Sequence, residues 1–579
     1  AVFDGKQFHP EKLNDTREKI TDFWNKFRAE CPDIRIETRG TNISVGADLA
    51  KDGVDLKAIY NGNFNLLPPP NSPWAALDGN FGLELAGYMS RISELPDDRY
   101  LFRYYIHDPW WANSPWLDRY GREAHDIYLP MAVARIDREG KVKLPTHFTL
   151  LTIDDSYGNM PEQVPSEMIP HLLQGRRTAP DQPGLIVWVY PFDEYHDWAH
   201  KQPERVKEIY YGDWFIQQAI NDGFPLNTVV SNGNFVELMK AGKKTFDESI
   251  LVSIVPDAGS DLEKQLIQFV KKGGKLFVYG PSSHASQKFL DFLNIKQVEP
   301  ISGEMRVQTQ LRSDLIKTPG SSILRHNEDM SGGGIETLVN NTSDPSTKVL
   351  AQAFMGAQKR DIAIQRQEKD WNGGMVVYLR GTNSATYRGG HLLTPDNPKQ
   401  RFNGSSLLRY SLNNMGYSVY FDKLEADMRN PINCISRNDN AFYFSGFTPN
   451  QTIEQQWLFP QGAPIFTGYE TELRNGIAHY RMPKSYQEEC RVFVKQEKGI
   501  ISCYEVAPVE WKVKRRIGIN GLKQATVRIY PGVDDANFKV VNNIGYPYNK
   551  PSLELKKGSD FSGTYYEFTD ITGELIAVW

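Results

Sequence analysis

This chain has little cysteine, no long apolar run and no surplus of positive charge, and each shortage closes off a class of protein. Its four cysteines, Cys31, Cys434, Cys490 and Cys503, are too few and too scattered for a disulfide framework or a zinc site. Only Cys490 and Cys503 look pairable. If Arg491–Gln496 and Ile500–Val506 form a hairpin turning at Lys498–Gly499, Cys503 faces Val494 and Cys490 sits about 13 Å out of register. A disulfide needs Cα atoms within about 7 Å, so both are expected to be free thiols. No stretch reaches the roughly 20 apolar residues of a membrane-spanning helix. A net charge of −5 argues against a nucleic-acid partner, which calls for a concentrated basic surface. The chain opens at Ala1 with neither Met nor signal peptide. That reads as a mature secreted, periplasmic or cell-surface form, or as a piece of something longer.

Aromatic residues are what the chain has in abundance, at 12%. Most such rings belong to cores. Residues 100–128 nevertheless hold nine of them, with Trp110, Trp111 and Trp116 on a Pro-interrupted loop. Large apolar side chains on a loop mark a binding surface, and they suit stacking against the C–H faces of a sugar.

The length of 579 residues predicts three or four domains. Residues 1–224 alternate helical and strand patterns. Helices are expected over Asp15–Glu30 (Ile20, Phe23, Trp24 and Phe27 on one face, Asn14 or Asp15 as N-cap), Leu83–Leu95 and Glu204–Asp222. Strands are expected at 34–38, 101–107, 148–154, 185–190 and 226–230, with Ile127–Ile136 extended. Counting back from 226–230 as strand eight of a (β/α)₈ barrel makes 34–38 strand four. The first three strands would then precede Ala1 or come from a companion chain; the alternative is an open α/β sheet. Residues 225–425 read as a second α/β domain, from the strands Ser249–Pro256, Gly273–Gly280 and Asn372–Leu379 and the helix Asp261–Lys272. Residues 426–579 carry short alternating runs and frequent turns, the pattern of a β-sandwich.

Several strands end in acids or His, and chemistry gathers at the carboxyl ends of parallel strands. These ends hold Glu37 and Arg39, His107 and Asp108, Asp154, Asp155 and Tyr157, and the run Tyr190-Pro-Phe-Asp-Glu-Tyr-His-Asp-Trp198. Asp154–Asp155 could serve catalysis or simply form an Asx-type turn. The His-Asp pairs at 107–108, 125–126 and 196–197 have the ligand types of metal-dependent phosphohydrolases. The first and third follow strands rather than lying on facing helices, so no metal is expected.

The segments Leu251–Pro256, the helix to Lys272 and Gly273-Gly-Lys-Leu-Phe-Val-Tyr-Gly-Pro281, together with the domain order, resemble the β-galactosidase-like glycoside hydrolases. In those enzymes the middle domain has a class I glutamine amidotransferase-like fold. The resemblance implies a cofactor-free glycosidase acting on a plant, algal or host oligosaccharide or polysaccharide, with homo-oligomers conceivable. It also implies two carboxyl groups at strands four and seven: Glu37 as acid/base and Glu194 as nucleophile, with Asp193, Asp154 and Asp155 as alternatives. That clan has Asn before its acid/base, whereas Ile36 stands here. Arg39, His107, Asp108, Trp110, Trp111, Trp116, Tyr157, Tyr190, His196 and Trp198 are the expected substrate contacts. Amidotransferase chemistry is not expected, because the turn Tyr279-Gly-Pro-Ser-Ser283 has no nucleophilic Cys. The competing expectation is a glycan-binding protein without catalysis.

Overall fold

The pentad Ile186-Val-Trp-Val-Tyr190 is buried along its whole length, as an apolar run without alternation should be when both faces of a sheet are covered. The computed structural model describes residues 2–37, 43–67, 80–96, 99–107, 125–152, 163–310, 321–328, 332–384, 386–388, 391–393, 400–423, 430–448, 451–483, 486–506, 513, 515–532, 535–542 and 552–579. The chain divides into two compact units. One comprises residues 1–126, 133–170 and 183–408; the other comprises 127–132, 171–182 and 409–579.

The first unit is built on an eleven-stranded sheet. Its parallel centre consists of β1 (Ala134–Ile136), β2 (Ile186–Tyr190), β3 (Thr228–Ser231), β4 (Ile250–Ile254), β5 (Lys275–Tyr279) and β6 (Met375–Leu379), in the spatial order β6-β5-β4-β2-β3-β1. Counted from β2, five of them run 2-1-3-4-5, the order of a doubly wound open sheet. Antiparallel strands flank this centre on both sides.

The helices used below are α1 (Leu13–Glu30), α2 (Val45–Asp52), α3 (Leu56–Asn61), α4 (Phe81–Ile92), α5 (Phe192–Lys201), α6 (Val206–Asn221), α7 (Asn232–Lys240) and α8 (Asp261–Lys271). One core layer packs Phe235 and Leu238 of α7 and Leu262, Leu266 and Phe269 of α8 against Val187, Val189, Leu251 and Val278 of the sheet. Trp188 and Tyr190 join a second, aromatic layer, in which Phe215 of α6 stacks on Tyr279 and Trp188 Nε1 donates to Tyr279 Oη at 3.1 Å.

This topology corrects the barrel count. Strand β2 is hydrogen-bonded to β3 along one edge and to β4 along the other. With both edges taken, it cannot also pair with the strand expected to precede it in a barrel. That strand, His147–Thr152, instead pairs in parallel with Leu101–His107 in a sheet of two. Ile36–Glu37 pairs with Leu66–Leu67 in another. The boundary expected at 224/225 therefore falls between α6 and β3, inside one sheet. The expected extended stretch 127–136 is a helix over His125–Met131 followed by β1. Helix α1 forms, but it runs on from a 3₁₀ turn without a side-chain cap, and only Leu13 of it is buried; Phe23 is 57% exposed.

The second unit is mostly antiparallel β, in an eleven-stranded and a three-stranded sheet. Segment 171–182 joins it through backbone pairing of Gln182 with Arg437 and a hydrogen bond from Asn438 Nδ2 to the Ala179 carbonyl. All four cysteines are free. The hairpin expected around Lys498–Gly499 does not form, because Val492–Lys495 and Lys498–Val506 both pair with Arg516–Ile529, which puts Cys503 opposite Ile519. Burial pushes the Cys434 and Cys503 thiols up to about 12.

Helix α4 docks on α6 at a position only glycine can fill. A Cβ on Gly82 would lie 2.0 Å from the Gln217 carbonyl oxygen. Beside it, Asn221 Nδ2 donates to Asn80 Oδ1, the N-cap of α4, and Gly82 N–H donates to Asn221 Oδ1, both at 2.8 Å. Gly82→Ala is expected to cost about 1–3 kcal/mol in urea unfolding, the usual range for overpacking, against near zero for Lys19→Ala on the exposed face of α1.

Candidate functional site

An open doubly wound sheet offers a crevice at the carboxyl ends of its strands, where the strand order reverses. Here that point lies between β2 and β4. A cleft of about 850 Å³ opens there, lined by the first turns of α5 (Phe192, Asp193, Glu194), α7 (Asn232, Gly233, Asn234) and α8 (Asp261, Leu262). Lys57, Tyr60, Glu94, Arg138, Glu237 and Lys240 also line it.

Local sequence places each group. Ser231 ends β3 and caps α7, its Oγ accepting from the Asn234 N–H at 3.2 Å. The same hydroxyl donates to Glu94 Oε2 at 2.6 Å, tying the chain beyond α4 to the sheet. Asp193 N–H donates to Asn232 Oδ1 at 3.0 Å, locking the starts of α5 and α7 together. The Asp193 carboxylate pairs with Lys57 Nζ at 2.5 Å. At the start of α8, Ser260 accepts from Glu263 N–H while Glu263 accepts from Gly259 N–H, close to a reciprocal capping box.

Glu194 differs from its neighbours. Its Oε2 is buried and has no hydrogen-bond partner. Burial pushes its carboxyl up to about 8, and the charges of Asp193, Asp257 and Asp197 push the same way against its own backbone N–H. Burial also raises Glu94, opposed by the Ser231 hydroxyl and helped by Asp193. Lys57 is raised because Asp193 outweighs its burial. The cleft thus holds a carboxyl kept protonated at neutral pH next to an ion-paired carboxylate, and such a pair separates acid from base roles.

Of the expected site residues, the structure brings Asp193 and Glu194 into this cleft. Tyr190, His196 and Trp198 are instead buried in the packing behind it. Tyr190 Oη accepts from the Gly46 N–H and donates to Asp213, which is wholly buried. His196 Nδ1 contacts the Phe192 carbonyl at 2.6 Å and its Nε2 accepts from the Lys57 N–H at 3.3 Å. This neutral imidazole ties α5 to α3 and so holds Lys57 near Asp193. Trp198 donates to Asp257 at 2.6 Å, and the Arg205 guanidinium covers its ring at 3.2 Å, leaving that face closed to a sugar. Arg39, Asp108, Trp110, Trp111, Trp116, Asp154, Asp155 and Tyr157 lie outside the described residues, as do the side chains of Glu37 and His107.

Lys57, Tyr60, Glu94 and Asn232 escaped the sequence reading. Lys57, Tyr60 and Glu94 end no expected strand, Asn232 follows one but is neither acid nor ring, and only the Asp55 N-cap of α3 could have hinted at a helix start beside Lys57. At the turn after β5, Ser282 is fully buried. Its Oγ and N–H both donate to Glu336, whose other oxygen accepts from Arg380 at 2.7 Å.

No family model matches this chain, and no curated protein matches it by sequence. Among solved structures it is similar to a cold-adapted β-galactosidase from Rahnella sp. R3, at 8% identity over 75% of this chain and 65% of that one, with a TM-score of 0.40. It is also similar to α-L-fucosidase isoenzyme 2 from Paenibacillus thiaminolyticus (10%, 98% and 70%, TM-score 0.39). A third is an exo-carrageenase from Bacteroides ovatus (7%, 83% and 56%, TM-score 0.35). Glycoside hydrolases are among its structural neighbours. The chain spans less than two thirds of the first and third of these proteins. At such identities and scores the likeness does not extend to substrate or mechanism. Among the described residues, no helix is long and apolar enough to cross a membrane.

Glu194 makes stability depend on pH. Its ordinary value is 4.5 and its folded value about 8, so the folded chain holds a proton that the unfolded chain releases between them. Stability is complete below pH 4.5 and falls as pH rises towards 8. Asp213, raised by burial from 3.8 to about 7 against hydrogen bonds from Ser44, Tyr190 and Tyr195, adds to the same slope. Glu194→Gln is expected to flatten the decline and to raise stability at pH 8 by about 1–3 kcal/mol, discounted because the residue is partly exposed. Urea unfolding across pH 4–9 measures it.

Proposed function

We propose that this chain is a carbohydrate-active hydrolase working in the switch-point cleft. The observation that carries the reading is Glu194, a carboxyl with an unpartnered oxygen and a value near 8, lining the same polar cleft as the Asp193 carboxylate. Glycosidic cleavage needs a protonated carboxyl to protonate the leaving oxygen. It also needs a carboxylate to act as nucleophile or to activate water. Glu194 suits the first role, which reverses its expected part as nucleophile. Asp193 suits the second, held in place by Lys57 at 2.5 Å and by the Asn232 side chain on its backbone N–H.

The step requires no cofactor: the acid gives its proton to the departing sugar oxygen as the anomeric bond breaks. His196 acts only by fixing the Lys57 backbone. A secreted or periplasmic setting fits a polymeric glycan substrate.

Screening the chain on a panel of aryl glycosides and polysaccharides tests the reading. Glu194→Gln and Asp193→Asn are each expected to lower kcat by about 10²–10⁴, the usual contribution of one acid or base. With an activated aryl leaving group, Glu194→Gln should lose far less, because such a group departs without protonation. Binding of glycans with no turnover on any of them would favour a glycan-binding protein without catalysis.

A further inference from the structure

Glu94, on the chain beyond α4, is a further carboxyl of the cleft. It is half-buried, and its Oε2 accepts from Ser231 Oγ at 2.6 Å. Asp193, 37% exposed in its side chain, gives Oδ1 to Lys57. Among the described residues, the remaining oxygens, Glu94 Oε1 and Asp193 Oδ2, make no hydrogen bond, and neither is a buried atom. Both are therefore open to solvent, and their residues line the cleft. Gly233, the second residue of α7, stands between them. A Cβ on it would lie 2.6 Å from Asp193 Oδ2 and 4.0 Å from Ser231 Oγ. These contacts keep Asp193 Oδ2 and Glu94 Oε2 within about 9 Å of each other, a gap that one or two waters bridge.

Two carboxylates that face one space repel unless a proton donor lies between them. Burial raises Glu94, the Ser231 hydroxyl opposes it, and Asp193 raises it further against Arg135 and the exposed Arg138. Resting on the hydrolase reading, we propose that Glu94 is the catalytic base and that it holds the attacking water together with Asp193. The water oxygen bonds to the anomeric carbon while the bond to the leaving oxygen breaks. That leaving oxygen takes the Glu194 proton. The water's own proton passes to Glu94, because Lys57 at 2.5 Å makes Asp193 the weaker base. Asp193 keeps its part as the carboxylate that orients the water. Solvent then returns Glu94 and Glu194 to their starting states. Attack by water in one step inverts the anomeric carbon.

Stereochemistry tests this directly: proton NMR of the sugar first released from any aryl glycoside that the full chain cleaves is expected to show inversion. Glu94→Gln still accepts from Ser231, so its Tm is expected to stay near the parent's, while kcat falls about 10²–10⁴-fold. Gly233→Ala favours the helix yet pushes the Asp193 carboxylate aside, and kcat is expected to fall about 10²-fold. Carboxyl titration by carbon-13 NMR needs no substrate. Glu94, assigned by its absence from Glu94→Gln, is expected to titrate at lower pH in Asp193→Asn. Retention of configuration, a kcat within about threefold of the parent in Glu94→Gln, or a Glu94 titration that Asp193→Asn leaves unmoved would each overturn the inference and leave the hydrolase reading standing. No hydrolysis of any glycoside would remove that reading and the base with it.

Discussion

Strand Ile186–Tyr190 bonds to a parallel neighbour on each edge and is covered on both faces, and the rest of the first unit depends on that double commitment. Because 228–231 takes one edge and 250–254 the other, the chain leaving β2 and the chain leaving β4 diverge. A crevice must open between them. The first turns of three helices meet there, and the side chains of those turns become the cleft. Phe192, Asp193 and Glu194 are functional candidates because of where β2 ends.

Within the cleft, the balance between desolvation and pairing assigns the roles. Asp193 and Glu194 are adjacent in sequence and belong to one helical turn, yet they are treated oppositely. Asp193 meets Lys57, itself held by the neutral His196 through a backbone hydrogen bond. Among the described residues no cation pairs with Glu194 and three acids act on it, so burial dominates and the carboxyl keeps its proton. Asp213 obeys the same rule deeper inside: even with hydroxyl donors from Ser44, Tyr190 and Tyr195, burial wins.

Much of the fold was legible from local pattern. The strands 250–254, 275–279 and 375–379 and the helices Val206–Asn221 and Asp261–Lys271 lie within a few residues of expectation, because each is bounded by turn residues or caps. Ile127–Ile136 misled because β-branched and aromatic residues there suggested extension, while residues 125–131 are helical. Phe23, Trp24 and Phe27 carry helical spacing, but spacing says only that residues share a face. On α1 that face is partly open to solvent. In the site, Glu194 and Asp193 were readable from their place after an apolar run. Tyr190, His196 and Trp198 shared that signal, yet Tyr190 still belongs to the covered strand and helix phase turned His196 and Trp198 inward. Lys57, Tyr60 and Glu94 come from segments some hundred residues away and left no local trace.

The sequence by itself determined the identity of the strands and most helices, the absence of paired cysteines and the chemical types available after residue 190, because these follow from short-range periodicity and composition. Tertiary structure alone decided that 186–190 and 228–231 belong to an open doubly wound sheet and not to a barrel, since strand partners are a property of edges that no single segment encodes. It also decided which carboxyl keeps its proton. That depends on how much water each one loses and which distant cation it meets, and both are fixed only when α3 and the chain after α4 close over the ends of β2 and β3.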